Sequence, residues 1–316
     1  MFNYSPLPFI DFASILREGD EDGKRRVVEE IRKACSEYGF FQVVNHGIPV
    51  ELLKQTLEVY RVFFECPNEE KLKYIPKPGV DQSAGFFKSP DLSKEGNEHF
   101  LVITPSLGLN HYPKSILKFK QVLEEIFPYF VKLASLSESI ISLSLDLPAN
   151  FLKEYNNDRT HDFLIGLHYF PATKTENIGK SAHEDSSCIT FLYQDDVGGL
   201  QVCKNGEWIP VPPRDGTLIV NIGEALQVLS NDRFKSATHK VIRAKEKHRH
   251  SFAFFHNLSG DKWMEPFSQF TEEIGELPKY KGFIFRDYIQ RRREDRTHPP
   301  EKYEDLTRIS RYAINR

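Results

Sequence analysis

Cys188-Ile189-Thr190-Phe191-Leu192-Tyr193-Gln194-Asp195-Asp196-Val197-Gly198-Gly199-Leu200-Gln201-Val202-Cys203 holds two β-type runs, 188–193 and 199–203. The Asp195–Gly199 cluster between them is turn-forming and too short to hold a helix. The pattern repeats outward. Further β-type runs fall at 163–170, 217–222, 239–243 and 250–256, with Lys204-Asn205-Gly206 and Arg214-Asp215-Gly216 as intervening turns. Many short strands with no long helices between them argue against a doubly wound α/β sheet and favour a barrel or a double-sheet jelly roll. Neither a GxGxxG nor a GxxxxGK[ST] stretch competes with that reading.

Upstream, the period is helical. Val27, Val28, Ile31, Ala34, Cys35 and Tyr38 recur at three- and four-residue spacings, and Gly39 supplies a stop. Phe40–Val44 reads as one short strand closed by Asn45-His46-Gly47, and Pro49 suits the first turn of the next helix. A short charged helix is expected around Asn68–Tyr74. Residues 75–112, rich in Gly, Pro, Ser and Lys but carrying Phe86, Phe87, Phe100 and Tyr112, suit a long loop or short strands beside a pocket. Helical spacing returns over 115–145, with a bend expected at Pro128. The expected organisation is a mostly helical region at 1–155, a mainly β core at 156–277, and a C-terminal helix and proline-bearing tail at 278–316.

The 316 residues carry 42 Lys and Arg against 45 Asp and Glu, so global charge does not point to nucleic acid. The arginines between Arg286 and Arg296 are interrupted by Asp287, Glu294 and Asp295 and read as a solvated helix face. The four cysteines form no CxxC pair, which leaves neither a thiolate zinc site nor a thioredoxin-type motif. No basic leader and no run of about 20 apolar residues is evident, so a cytoplasmic protein off the membrane is expected. Without a long heptad pattern, a monomer is expected.

His183 and Asp185 are spaced so that an extended strand turns both to one face. One imidazole and one carboxylate cannot complete a metal site. His239 begins another β-type run, and two histidines with one carboxylate on neighbouring strands make a facial triad that holds iron(II) with open positions. Arg249 and Ser251 follow on a strand whose alternation sets Arg249, Ser251, Ala253 and Phe255 on one side and His250, Phe252 and Phe254 on the other. A guanidinium beside a hydroxyl suits a terminal carboxylate, since its planar fork can hold both oxygens. A buried structural ion pair is the alternative for Arg249.

The chain resembles the plant-type iron(II)- and 2-oxoglutarate-dependent oxygenases, relatives of flavonoid, gibberellin and alkaloid oxygenases, ACC oxidase and isopenicillin N synthase. The resemblance runs through Phe40–Ile48, His183-Glu184-Asp185, Gly198–Val202, Trp208–Val211, Gly216–Glu224, Ser230-Asn231, Lys235-Ser236 and His239-Lys240-Val241. It implies a double-stranded β-helix (jelly roll, cupin-like), with His183, Asp185 and His239 as iron ligands and Arg249 and Ser251 on the distal carboxylate of 2-oxoglutarate. The implied activity is that of a dioxygenase of specialised metabolism, using iron(II), 2-oxoglutarate and O2, with ascorbate a candidate reductant. Succinate and CO2 leave, and hydroxylation of a small, partly apolar or aromatic metabolite is the default outcome. Phe255, Tyr169, Phe100 and Tyr112 are the candidate substrate-pocket residues.

Two departures stand out. His168-Tyr169-Phe170-Pro171 matches a segment that commonly reads Asn-Tyr-Tyr-Pro, so the second tyrosine, often a donor to the cosubstrate, is Phe170. Glu224 stands where aspartate is usual. Phe170 keeps in view an iron oxidase that works without 2-oxoglutarate on a carboxylate substrate. A non-catalytic binding protein on the same scaffold is a further alternative, against which the intact His183, Asp185 and His239 argue.

Overall fold

Asp20 opens the first long helix by accepting the Gly23 N–H at 2.9 Å, and Val27, Ile31, Ala34 and Cys35 bury one face of it. The computed structural model describes residues 7–76, 84–89, 95–298 and 306–314, and the proline-bearing tail at 299–300 lies outside them. In chain order the helices are α1 (Ala13–Leu16), α2 (Glu21–Glu37), α3 (Val50–Glu65), α4 (Asn68–Lys71), α5 (Phe119–Ser144), α6 (Phe151–Tyr155), α7 (Glu224–Leu229) and α8 (Phe285–Thr297). The strands are β1 (Phe9–Asp11), β2 (Phe40–Val44), β3 (Gly85–Lys88), β4 (Asn97–Ile103), β5 (Phe163–Tyr169), β6 (Ile178–His183) and β7 (Ile189–Gln194). They continue as β8 (Leu200–Lys204), β9 (Glu207–Pro210), β10 (Leu218–Ile222), β11 (His239–Ile242), β12 (Arg249–His256), β13 (Trp263–Met264) and β14 (Phe283–Ile284).

An eight-stranded sheet in the order β1-β2-β10-β7-β12-β5-β4-β3 forms the middle of the molecule, and a separate four-stranded sheet runs β6-β11-β8-β9. Pairing in both is antiparallel except between β1 and β2. One face of the large sheet carries Phe252, Phe254, Leu164 and Phe100 into the main core, where they meet Tyr60, Phe63, Phe119 and Phe130 from α3 and α5. The other face packs on the small sheet: Phe40, Tyr169 and Ile219 share a second core with Leu200, Val202 and Val241. The order is therefore helices, large sheet, small sheet.

This corrects the expected fold class. The protein is a mixed α/β fold rather than a mainly β jelly roll of the cupin-like, double-stranded β-helix kind: among the described residues no strand pairing closes the eight-stranded sheet into a barrel. Among the described residues helical residues outnumber strand residues, and helices are not confined to the N-terminal region: α7 interrupts the segment read as β core, and α8 forms where a C-terminal helix was expected. The error has a physical source. α7 is six residues long and almost wholly buried, so it has no polar face to reveal a helical period. Conversely β1 to β4, from the region read as mostly helical, supply half of the large sheet; β2 was read as a strand and the segment holding β3 and β4 as a loop or short strands.

α5 continues unbroken through Pro128. By length and composition alone it could cross a membrane, a feature the sequence reading missed; here more than half of it is buried, and it packs on α2, α3 and α6. All four cysteines are unpaired thiols.

Candidate active site

The extended strand expected to carry both His183 and Asp185 stops at His183, and Asp185 approaches it from the irregular segment just beyond β6, while antiparallel pairing of β11 with β6 sets His239 directly opposite His183. Each residue offers one ligand atom, and those atoms lie within 4.8 Å of one another. Asp185 Oδ1 is 3.6 Å from His183 Nε2 and 3.8 Å from His239 Nε2. The two Nδ1 atoms face the Ser181 and Ala237 carbonyls at 2.8 and 3.2 Å. A carbonyl can only accept, so the proton sits on Nδ1 and the Nε2 lone pairs turn toward the carboxylate.

The large sheet holds Asp185 in place. Its Oδ2 accepts from Thr190 Oγ1 at 2.8 Å and Asn221 Nδ2 at 2.9 Å, on β7 and β10. Burial raises the Asp185 carboxyl, but the neighbouring imidazoles and these two donors outweigh it and hold the group below its ordinary range. Burial, reinforced by His239, pushes His183 well below the usual imidazole range. A neutral imidazole and an ionised carboxylate are the states a divalent cation requires, so the donor set fits iron(II).

Arg249 is 1% exposed, on the face of β12 that meets the small sheet. Nη1 donates to Ser251 Oγ and Nη2 to Gln194 Oε1, both at 3.0 Å, while buried Nε has no partner. Among the described residues no carboxylate forms an ion pair with it, which removes the structural ion pair as its explanation. Asp195 acts on this guanidinium only from beyond contact, and a buried guanidinium with no carboxylate in contact costs several kcal/mol, so the site fits an anionic ligand such as a carboxylate. Tyr169 stands opposite Arg249 in register, with the guanidinium carbon 4.9 Å from its ring centroid.

The structure separates the expected pocket residues into two groups. Phe255 faces the site: it pairs with Thr190, which holds Asp185, and stacks on Phe163 with centroids 4.7 Å apart. Tyr169 is at the Arg249 end. Phe100 and Tyr112 are not brought to the site. Alternation along β4 turns Phe100 to the helical side, where it packs on Phe63 and Phe119, and Tyr112 abuts Phe119 in the same core. Half-buried Leu167, His99, Ile165 and Leu101, which the sequence reading did not single out, share the site's face with Phe87, which it named, and with buried Ser251 and Ala253. Ser251, Leu167, His99 and Phe87 form one cross-strand row, and Ala253, Ile165 and Leu101 form the next. Period-two alternation on β4 and β5 was the available signal.

Phe170 and His168 lie on the opposite side from Arg249. His168 bonds Glu98 Oε1 at 2.9 Å and His248 Nδ1 at 2.8 Å, and Phe170 packs on its ring.

The sequence profile of the 2OG-Fe(II) oxygenase superfamily matches residues 161–258, and that of the non-haem dioxygenase in morphine synthesis N-terminal region matches 7–112. The chain is 33% identical to 1-aminocyclopropane-1-carboxylate oxidase 5 of Arabidopsis thaliana, over 90% of this chain and 92% of the relative. It belongs to the 2OG-Fe(II) oxygenase superfamily. Another relative in this superfamily, flavonol synthase/flavanone 3-hydroxylase of Arabidopsis thaliana, is 33% identical over 90% of this chain and 85% of its own. The crystal structure of JOX2 in complex with 2OG, Fe and JA superposes with a TM-score of 0.83 at 28% identity, covering 98% of this chain and 90% of that one. As a superfamily member with the triad assembled, the protein is a dioxygenase that carries out iron(II)- and 2-oxoglutarate-dependent oxidation of a small organic substrate, releasing succinate and CO2.

Proposed function

We propose that His183, Asp185 and His239 hold the iron, and that Arg249 and Ser251, joined by Tyr169, receive the distal carboxylate of 2-oxoglutarate. The observation that carries this reading is the buried guanidinium with no carboxylate in contact and its Nε unpartnered, on the same sheet face as the residues that fix Asp185. When bound, iron(II) and 2-oxoglutarate supply the oxidising power drawn from O2. The protein's residues do the rest. Thr190 and Asn221 orient the carboxylate, the Ser181 and Ala237 carbonyls fix the imidazole tautomers, and Arg249 orients the cosubstrate. The two packed sheets keep bulk water from the buried end.

The substrate is a small, partly apolar or aromatic metabolite, and hydroxylation is its default fate. Half-buried Phe87, Leu101, Phe163 and Phe255 support this, as does the similarity to flavonol synthase/flavanone 3-hydroxylase. Ascorbate serves as reductant, and the enzyme acts as a cytoplasmic monomer; size-exclusion chromatography with light scattering tests the latter.

The deciding experiment adds iron(II) to metal-free protein without oxygen and titrates 2-oxoglutarate while the visible spectrum is recorded. A saturable charge-transfer band, lost in H239A and requiring far more ligand in R249A, is expected. Iron binding without that band at high 2-oxoglutarate would overturn the assignment and point to direct oxidation of a carboxylate substrate.

A further inference from the structure

Arg292 reaches the ligand-bearing turn from the far end of the chain. Its Nη2 donates to the Glu184 carbonyl oxygen at 2.9 Å, on the peptide that leads into Asp185. The next carbonyl, that of Asp185, accepts the Glu224 N–H at 2.7 Å. Two consecutive carbonyls of the turn are thus gripped, one from α8 and one from the first residue of α7.

The two grips are coupled. Arg292 Nη1 donates to Glu224 Oε2, which also accepts the Tyr288 hydroxyl at 2.6 Å. The ion pair is nearly closed to solvent, with the Glu224 side chain 2% and the Arg292 side chain 15% exposed. Neighbouring Arg291, Arg293 and Glu294 point outward, so Arg292 is turned inward from an otherwise polar helix. Glu224, one methylene longer than the aspartate usual in the family, adds about 1.5 Å of reach toward α8.

We propose that Arg292 is a positioning residue for the metal triad: by fixing the Glu184–Asp185 peptide it presets the Asp185 carboxylate, so that docking of α8 sets the affinity for a divalent cation. The inference rests on the triad being the metal site. A carboxylate whose backbone can rotate must be ordered when the cation binds, and that ordering is subtracted from the binding free energy. Loss of an outer-shell partner typically weakens metal binding by about 10- to 100-fold.

The test titrates metal-free protein with cobalt(II), in competition with a chelator, for wild type, R292M, R292K, E224D and H239A. Circular dichroism establishes that each variant is folded. R292M should weaken cobalt binding by about 10- to 100-fold, and R292K should recover part of the loss through a single donor. E224D keeps the charge and the backbone N–H but shortens the link, and should also weaken binding; it decides the matter if R292M does not fold. Wild-type cobalt affinity in folded R292M and E224D, with binding abolished in H239A, overturns the inference and leaves the triad intact. Wild-type affinity in H239A would instead overturn the metal-site reading itself.

Discussion

Tyr169 and Arg249 face each other across β5 and β12, the phenol ring lying 4.9 Å from the guanidinium carbon. The sequence pattern suggested that a cosubstrate hydroxyl had been lost at Phe170. The structure turns Phe170 toward His168 and His248 and sets the tyrosine one residue earlier beside the clamp. A one-residue change of register reverses the face of a strand residue, so a motif match alone could not tell which of the pair points inward.

That arrangement orders three substitutions. R249M should raise the 2-oxoglutarate dissociation constant by about 100-fold or more, since a desolvated charge pair is worth about 2–5 kcal/mol. Y169F should raise it roughly tenfold, as expected for one hydrogen bond to a charged group. F170Y should leave it unchanged, because the added hydroxyl would lie on the other face. Isothermal titration with manganese(II) in place of iron(II) measures all three, and a gain of affinity in F170Y would refute the register.

Gly179 on β6 packs against Tyr169. A β-carbon there would lie 2.7 Å from Tyr169 Cδ1 and 3.2 Å from Val241 Cγ1, contacts a rigid ring in a packed core cannot accommodate. G179A should lower stability by about 1–3 kcal/mol through overpacking. It should also weaken 2-oxoglutarate binding, while cobalt(II) affinity at the triad stays close to wild type. Urea unfolding and the two titrations separate these effects.

Asn221 and Thr190 both donate to Asp185 Oδ2. N221L should therefore lower cobalt(II) affinity by about tenfold or more, with T190V acting in the same direction. Equal affinity in N221L and wild type would mean that the carboxylate is oriented without β10.

Much of this site could be read from the chain because side-chain period or chemistry marks its members. Arg249 and Ser251 share one face of β12, as alternation predicts, whereas Asp185 lies past the end of β6 and reaches His183 without strand period, so there the chemistry of the pair was the signal. The six β-type runs after residue 163 all became strands because turn clusters bound them. β6 escaped notice because it edges the small sheet and exposes Ser181 and Ala182, which leaves no apolar alternation. β4 falls in the segment read as a loop or short strands, and its length was masked because Glu98 is buried on the helical side, where Lys71 and His168 neutralise it, so a polar side chain occupies a core-facing position. Arg292 gave no signal at all, since nothing in a run of arginines distinguishes the one turned inward.

His250 lies behind the clamp and supplies a pH test. Its buried Nε2 has no partner, and its ring stacks on His168 with centroids 4.7 Å apart. Burial, followed by the charges of His168 and His248, pushes its imidazole down to about 3. The folded state thus keeps His250 neutral while the unfolded chain, with an ordinary imidazole, takes up a proton as pH falls below about 6.5. Protonation then favours the unfolded chain, so stability is lost as pH drops from about 6.5 toward 3. Between pH 7 and pH 5 this group should cost the wild type about 2 kcal/mol relative to H250F, in which the ring stays apolar. Urea midpoints of both proteins at the two pH values measure the difference. Parallel loss of stability in wild type and H250F would show that His250 is not the group responsible.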